Sequence, residues 1–327
     1  MNLRSRFPLA LAILCALLLL PEAAPAQEAA KPGAHASPSV AELQEKVAQL
    51  TAEKGAEYAY TMRIRSELIA ALWRAGRYVE ALQESRALLA ICERVLGPEH
   101  PNTLVIQNSL AISLRALGKY AEAEKEHRAV LAIRERVLGP EHPDTLMSRN
   151  NLAVVLASQG KYAEAAQEHW AVLAIRERVL GPEHPDTMMS RMNLADGLNK
   201  AGRFDEAEKE SRVALAGLVT ALGPEHPSTL NARNNLAETR QNQKHYAEAE
   251  AEHRDVLALR ERILGADHGA VFESCYNLAF CLDARGKHAE ALAFARRAEE
   301  GRRKVLGPDH PYTKLAEQRR KEIEAHQ

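Results

Sequence analysis

The chain has 327 residues, with 43 Lys and Arg against 44 Asp and Glu, and its formal net charge is −1. This balance gives no electrostatic reason to expect nucleic acid or an anionic membrane surface as a partner. Hydrophobic residues make up 46% of the chain but aromatic residues only 5%. Such a composition, rich in Ala, Leu and Val, favours closely packed helices over β-sheet.

The first 26 residues differ from the rest of the chain. Arg4 and Arg6 precede an apolar run at 9–20, and the sequence APA at 24–26 has the small-x-small pattern of a cleavage site. The run is too short to span a bilayer comfortably, so residues 1–26 are predicted to be a cleaved secretory signal peptide. An uncleaved N-terminal anchor is the alternative. We therefore expect an exported protein, in the bacterial periplasm or secreted, with no membrane insertion after removal of the signal.

The segment after the signal is predicted to contain a linker and a helix. Residues 27–38 are rich in Ala, Pro and Gly, which predicts a disordered linker. Apolar residues then recur at spacings of three and four, which predicts a helix over 39–54. They are Val40, Leu43, Val47 and Leu50. We expect this helix to pack on the first repeat, and coiled-coil dimerisation is the alternative.

One nine-residue phrase recurs every 42 residues without insertion or deletion. The copy at 138–146 reads LGPEHPDTL, and the others begin at 96, 180, 222, 264 and 306. A fixed period of this length is typical of a solenoid of stacked helix pairs. Within the phrase, Gly139 ends one helix, Pro140 prevents it from resuming, and Pro143 starts the next helix. His142 then falls near the N-cap of that helix.

The sequence between two copies of the phrase resembles a tetratricopeptide repeat. The run at 150–181 reads NNLAVVLASQGKYAEAAQEHWAVLAIRERVLG. The residues that carry the resemblance are Leu152, Ala153, Leu156, Gly160, Tyr162 and Ala165. The 42-residue period and the G-x-x-H-P-x-T junction are similar to the kinesin-light-chain-like subclass of this family.

The resemblance implies an all-α, right-handed superhelical solenoid. Six 42-residue repeats would occupy 55–306, and a C-terminal capping helix would occupy 307–327. In this family the first helix of each pair lines a concave groove that holds an extended peptide, so the resemblance implies a protein or peptide partner. Kinesin light chains are cytosolic, whereas this chain begins with a predicted export signal, so cargo transport is not implied.

The sequence lacks the common catalytic motifs. It contains no His-Glu-x-x-His, Gly-x-Ser-x-Gly, Cys-x-x-Cys or Gly-x-Gly-x-x-Gly pattern. Six of the 13 histidines lie in the repeated junctions, too far apart to share a metal ion, and His127, His169 and His253 are expected to pack between helices. The three cysteines beyond the signal give no disulfide framework, so buried thiols are expected. We therefore predict no enzyme activity, no cofactor and no metal site.

Asparagine residues recur on the face of the first helices that would line the groove. A side-chain amide has donors and an acceptor, so it can pair with both groups of a peptide backbone without reading its sequence. The series is Asn151, Asn193, Asn235 and Asn277, doubled by Asn108, Asn150 and Asn234. Helix packing is the alternative role. Arg149, Arg191 and Arg233 run beside this series and are expected to pair with Glu on adjacent helices.

Formal charges on the predicted groove positions change from basic near the N-terminus to acidic near the C-terminus. Arg74 and Arg115 mark the basic end, and Glu273 and Asp283 mark the acidic end. Such a field could orient a bound peptide. Candidate apolar anchors at the two ends are Trp73, Tyr276 and Phe280. The alternative is that these charges are solvated or paired within the solenoid.

These patterns lead to one main hypothesis. The chain is expected to be an exported, non-enzymatic scaffold that binds protein or extended peptide in its groove. A structural or oligomerising subunit that binds through its convex face is an alternative. A second alternative is an adaptor for a separately encoded enzyme.

Overall fold

The computed structural model of the chain describes residues 38–326. The predicted signal peptide, nearly all of the predicted linker and residue 327 lie outside the described residues. Residues 38–326 contain fourteen α-helices and no β-strand. The helices are α1 (Val40–Lys54), α2 (Ala59–Arg74), α3 (Tyr78–Leu96), α4 (Pro101–Ala116), α5 (Tyr120–Leu138), α6 (Pro143–Ser158), α7 (Tyr162–Leu180), α8 (Pro185–Lys200), α9 (Phe204–Leu222), α10 (Pro227–Asn242), α11 (Tyr246–Leu264), α12 (Gly269–Ala284), α13 (His288–Leu306) and α14 (Pro311–Glu324).

The helices belong to two compact units that divide after Val137. In the first unit, α1 packs on α2 through Leu43, which is 3% exposed and shares a core with Ile64 and Leu68. In the second unit, α6 to α13 form four helix pairs, each with a first helix of 16 residues and a second of 19, and α14 packs on α13. The all-α fold predicted from the resemblance is confirmed.

The junction histidines act as N-caps. Nδ1 of His142 accepts a hydrogen bond of 3.2 Å from the backbone N–H of Asp144. The same contact, at 3.1–3.2 Å, recurs in the other five junctions, at His100, His184, His226, His268 and His310. An imidazole nitrogen that accepts must be unprotonated, so each cap requires a neutral histidine. The expectation that His142 lies at the N-cap is confirmed.

The other residues of the junction phrase also have structural roles. Gly139 has φ of 90°, a left-handed conformation that a side chain would strain. In four junctions the threonine hydroxyl donates to the carbonyl of the phrase's glycine, as in Thr187 to Gly181 at 2.8 Å. Glu99, Glu141 and Glu225 each pair with an arginine near the end of the next second helix, as in Arg178 Nη2 to Glu141 Oε1 at 2.6 Å. One phrase therefore ends a helix, caps the next and ties the junction to its own helix pair.

Charged pairs also join the two helices within the first three pairs of the second unit. Arg149 on α6 contacts Glu168 on α7 at 2.8 Å. Arg191 pairs with Glu210, and Arg233 pairs with Glu252. These contacts confirm that the arginine series is structural.

Candidate peptide-binding surface

The first helices of the second unit lie side by side in the order α6, α8, α10 and α12. Their aligned faces are called the first-helix surface below. Side-chain hydrogen bonds cross between neighbours in this layer. Asn242 Nδ2 donates to Asn199 Oδ1 at 3.1 Å, and Cys281 Sγ donates to Gln241 Oε1 at 3.1 Å. These bonds fix the spacing of the helices, which a binding surface built from several helices requires.

Asn108, Asn150 and Asn234 are buried or engaged by neighbouring side chains. Asn150 is half-buried, and its Oδ1 lies 3.3 Å from Nδ1 of His169. Asn108, in the first unit, and Asn234 are only 5% and 3% exposed, so they offer almost no surface to a ligand. Asn234 Oδ1 accepts a hydrogen bond of 3.2 Å from Nδ2 of Asn277. Helix packing, the alternative role, accounts for these positions.

A pattern within the chain supports this packing role. Asn108, Asn150 and Asn234 each precede a buried second-helix histidine by 19 residues, and those partners are His127, His169 and His253. Where the histidine is replaced by Ser211, the asparagine is replaced by Met192. Asparagine and histidine are therefore present together or absent together in these repeats.

The second asparagine of the series is placed differently. Asn193 and Asn235 are both half-buried, and no other described residue makes a hydrogen bond to either side-chain amide. Asn277 is also half-buried, with its Nδ2 engaged by Asn234. Asn151 is 9% exposed and already has a partner within the chain. Asn193 and Asn235 are thus the asparagines of this series whose side-chain amides are partly exposed and make no hydrogen bond to another described residue.

The predicted basic end lies in the first unit. Arg74 is exposed at the end of α2, where its Nε donates to the Ala70 carbonyl at 3.4 Å. Arg115 is half-buried. Burial lowers the pKa of His127 and the charge of Arg115 adds to this, whereas burial raises the pKa of Tyr78 and Arg115 partly offsets that rise. Trp73 stacks at a tilt on Tyr78, with ring centroids 5.6 Å apart. The structure describes these residues within their own unit, and their role in binding stays a prediction.

The two carboxylates of the predicted acidic end have partners within the second unit. Glu273 lies 3.0 Å from Nη1 of the buried Arg260. Asp283 accepts hydrogen bonds from His288 and His326 at 2.8 Å and 3.1 Å. Both carboxylates have internal partners, which corresponds to the alternative that these charges are paired. They are therefore weaker candidates for attracting a basic peptide than the sequence suggested.

The predicted aromatic anchors at this end also have internal contacts. The guanidinium of Arg302 lies 4.8 Å from the ring centroid of Tyr276. Arg319, on α14, lies 4.7 Å from the ring of Phe280. Cation–π contacts of this kind hold α14 against the last pair and leave both rings only half-exposed.

The three second-helix histidines lie in the interior of the protein and are neutral. Burial lowers the pKa of His127 to about 3, that of His169 to about 4 and that of His253 to about 3. Nearby Arg115 and Arg134 add to this effect at His127. His253 has no hydrogen-bond partner at either ring nitrogen among the described residues. These groups therefore resist protonation in the folded state and act in packing.

Within residues 38–326, one group of side chains has the composition and spacing of a metal site. Asp283, His288 and His326 place their ligand atoms within 4.8 Å of one another. No spacing motif predicts this group, since its members are separated by five and 38 positions. The cysteines show no such arrangement. Cys92, Cys275 and Cys281 are free and buried, as expected.

None of the helices between residues 38 and 326 is both long and apolar enough to cross a membrane.

Comparison with known proteins identifies the repeat family. The family model described as tetratricopeptide repeat matches residues 60–125, 104–169, 193–262 and 228–304. No curated protein is significantly similar in sequence.

Several solved structures share the fold. Kinesin-light-chain TPR-like repeats from Podospora anserina are 31% identical, with a TM-score of 0.53, over 62% of this chain and 96% of theirs. A tetratricopeptide repeat protein from Parabacteroides merdae is 16% identical, with a TM-score of 0.57, over 87% and 98% of the two chains. A Rap protein complexed with competence and sporulation factor is 11% identical, with a TM-score of 0.54, over 88% and 85%.

The family match covers more than half of the chain, and the Podospora repeats share both sequence and fold with it. The chain therefore belongs to the tetratricopeptide repeat family, in its kinesin-light-chain-like form, and is a scaffold of the kind typical of protein-binding adaptors.

Proposed function

We propose that the first-helix surface of the second unit binds an extended segment of a partner protein. The observation that carries this proposal is the pair Asn193 and Asn235. Both side chains are partly exposed on neighbouring first helices, and no described residue makes a hydrogen bond to their amides. The buried or engaged amides at Asn150 and Asn234 serve as an internal contrast.

Amide side chains suit recognition of a peptide backbone. Each provides two N–H donors and one carbonyl acceptor, so it can pair with a backbone C=O and N–H at once. Contacts of this kind hold a chain in place without selecting side chains. Asp196, one helical turn beyond Asn193, already pairs with Lys200 at 2.9 Å, so neighbouring charge adds little selectivity there.

The first experiment locates the contact. A photoreactive residue is introduced at Asn235, and a matched one at Val213, which is 42% exposed on the second helix α9. Crosslinking to a bound protein is expected at Asn235 and absent at Val213. Crosslinking at Val213 alone would contradict the proposal.

The second experiment measures affinity with a defined ligand. A peptide selected on the purified chain from a random phage-displayed library is synthesised and titrated. The double variant Asn193→Ala/Asn235→Ala is expected to bind it at least about tenfold more weakly, because two amides lose hydrogen bonds to the peptide. Asn102→Ala, at a partly exposed asparagine in the first unit, is the control and should leave affinity unchanged. Equal affinities for all three proteins would contradict the role of the amides.

A second candidate function rests on an exposed tryptophan. Trp170 on α7 is 43% exposed, and the corresponding second-helix positions carry Arg128, Arg212 and Arg254. Exposed tryptophan is enriched at protein interfaces. Association through the second helices would make the protein an oligomerising or structural subunit. Sedimentation analysis of the chain and of Trp170→Arg distinguishes this function, because only an interface at α7 predicts dissociation in the variant.

The proposed role is non-enzymatic, and the partner can itself be an enzyme. Tetratricopeptide repeat proteins are generally scaffolds, and the sequence carries none of the common catalytic motifs named above. An enzyme partner would be identified as the crosslinked protein at Asn235.

We also propose that the protein is exported. The support is the basic, apolar and small-residue order of residues 1–26. Fusion of residues 1–40 to a reporter that is active only after export is the test, with a charge introduced into the run at 9–20 as the control. An inactive wild-type fusion would contradict export.

A further inference from the structure

Three side chains from three helix ends meet at the C-terminal end of the second unit. Asp283 is next to last in α12, His288 is the first residue of α13, and His326 lies just beyond α14. Nδ1 of His288 lies 2.8 Å from Oδ1 of Asp283, and Nδ1 of His326 lies 3.1 Å from both oxygens of the same carboxylate. The two imidazole rings meet edge to face with centroids 5.7 Å apart.

The group is particular to the last repeat. The position of His288 is aromatic in the five earlier repeats, at Tyr78, Tyr120, Tyr162, Phe204 and Tyr246. The position of Asp283 holds Trp73, Arg115, Ala157, Asn199 and Gln241. Packing of the repeat therefore does not require a carboxylate or a histidine at either place.

The charges around the site come from the turn beside it and from the helix ends. Arg285 and Lys287 lie in the turn between Asp283 and His288, but both pair with the buried Glu250, with Lys287 Nζ 2.9 Å from Oε1. Glu250 offsets part of the positive charge of the turn, and the same carboxylate also pairs with Arg254. Helices α12 and α14 both end here with the negative end of a helix dipole, whereas α13 begins here with the positive end.

The site is also accessible. The side chain of Asp283 is 11% exposed, whereas those of His288 and His326 are 34% and 54% exposed. The carboxylate thus forms the floor of a small site, and the two imidazoles form its rim. An ion could enter from solvent without opening the fold.

We propose that Asp283, His288 and His326 bind a divalent transition-metal ion, with Zn²⁺ as the best match. Two imidazoles and one carboxylate suit zinc, and three protein ligands leave a fourth position for water. Ligands held at about 2.0–2.1 Å around a tetrahedral ion lie roughly 3.3 Å apart. The nitrogen–oxygen distances of 2.8 Å and 3.1 Å need only open by a few tenths of an ångström.

Binding requires a defined tautomer. Each histidine would hold its proton on Nε2, so that the Nδ1 lone pair is free for the metal. The ion would then replace the hydrogen bonds that now join the imidazoles to Asp283. Because the ligands come from three helix ends, the bound ion would fasten the end of α14 to α12 and α13.

The test uses the full chain stripped of metal with a chelator and then titrated with Zn²⁺ by calorimetry. We expect one Zn²⁺ per chain at this site and a rise in Tm on binding. His326→Ala and Asp283→Asn are each expected to weaken binding at least about tenfold and to remove the Tm response. Co²⁺ should give a visible absorption band with the wild-type chain that neither variant shows.

The controls address folding and nonspecific binding. His326 is exposed beyond the last helix, so His326→Ala should fold as the wild type does, which circular dichroism verifies. His245→Ala removes an exposed histidine elsewhere in the second unit and should bind Zn²⁺ normally. The proposal is overturned if the wild-type chain binds no Zn²⁺, or if His326→Ala and Asp283→Asn bind it as tightly as the wild type.

Discussion

The repeat formed by α6 and α7 and the next repeat, formed by α8 and α9, have the same helix lengths but different interiors. In the first, Asn150 Oδ1 lies 3.3 Å from His169 Nδ1. In the second, the corresponding residues are Met192 and Ser211, and Met192 is 5% exposed in an apolar cluster. A polar contact in one repeat is thus replaced as a whole by apolar packing in the next.

The same two repeats differ in how they share volume. A Cβ on Gly217 of α9 would lie 2.3 Å from Sδ of Met188 on α8, so glycine leaves the space that this methionine fills. The corresponding residues in the earlier repeat are Leu146 and Ile175. A large side chain on the second helix has therefore been replaced by glycine, and the unbranched methionine on the first helix fills that space. Residues can therefore be exchanged between these similar repeats only together with the residues that they contact.

The largest expected effect concerns pH and the polar repeats. The folded pKa values of His127, His169 and His253 are about 3, 4 and 3, below the ordinary value of 6.5. As pH falls below 6.5, the unfolded chain binds protons that the folded chain does not. Stability is therefore full above pH 6.5 and is lost toward pH 4. The loss approaches about 1.4 kcal/mol per pH unit for each histidine.

This prediction is tested by urea unfolding at pH 7, 6 and 5. The matched variant is Asn150→Met/His169→Ser, which gives the first repeat the polar positions of the second. The three buried histidines make the free energy of unfolding depend on pH. Because the variant lacks one of them, this part of the slope should fall by about a third. The six junction histidines are the same in both proteins, so the difference in slope reports on His169. An unchanged slope in the variant would show that His169 is not the neutral buried group described here.

Much of this architecture could be predicted from the sequence, and the reasons are local. Glycine and proline fix backbone angles at all but one of the junctions, so helix ends such as Gly139 and Pro143 follow from residue type alone. The pairing of Arg149 with Glu168 follows from their charges and the repeat geometry. Such features depend on neighbours within one repeat, whose spacing the 42-residue period reveals.

The roles of the asparagines could not be predicted in the same way. Adjacent positions on a helix point about 100° apart, so Asn234 and Asn235 belong to different surfaces although both looked groove-facing. Only packing shows that the first is 3% exposed and the second half-buried. The Asp283 group was missed for a related reason, since His326 reaches it from the end of a different helix.

The next largest effect is expected where Met188 packs against Gly217. Gly217→Ile places a consensus side chain where Met188 already lies, and overpacking of this kind costs about 1–3 kcal/mol. Met188→Leu/Gly217→Ile restores the pair found in the preceding repeat and should recover most of the loss. The measurement is the free energy of unfolding of the two single variants and the double variant. Additive effects, with no coupling between the two sites, would contradict complementary packing.

A smaller effect concerns the junction before α12. Here the two prolines of the phrase are replaced by Ala266 and Gly269, although His268 still caps the helix at 3.2 Å. Amide hydrogens at 265–272 should exchange faster than those at 139–146, because the backbone is less restrained. Gly269→Pro is expected to slow this exchange and to add about 0.4–1 kcal/mol of stability. Equal exchange rates at the two junctions of the wild-type chain would contradict this prediction.

The smallest expected effect is electrostatic and distinguishes the same two repeats. Arg178 pairs with Glu141 at 2.6 Å, and their side chains are 60% and 48% exposed. In the next repeat the corresponding positions hold Thr220 and Glu183, so the pair is missing. Exposed ion pairs contribute little because water and salt screen them, so Arg178→Thr should cost less than about 0.5 kcal/mol. Thr220→Arg should give a gain of similar size by restoring the pair with Glu183. Both changes should disappear in 1 M NaCl, whereas an effect that persists there would show that the arginine acts through packing of its aliphatic stem.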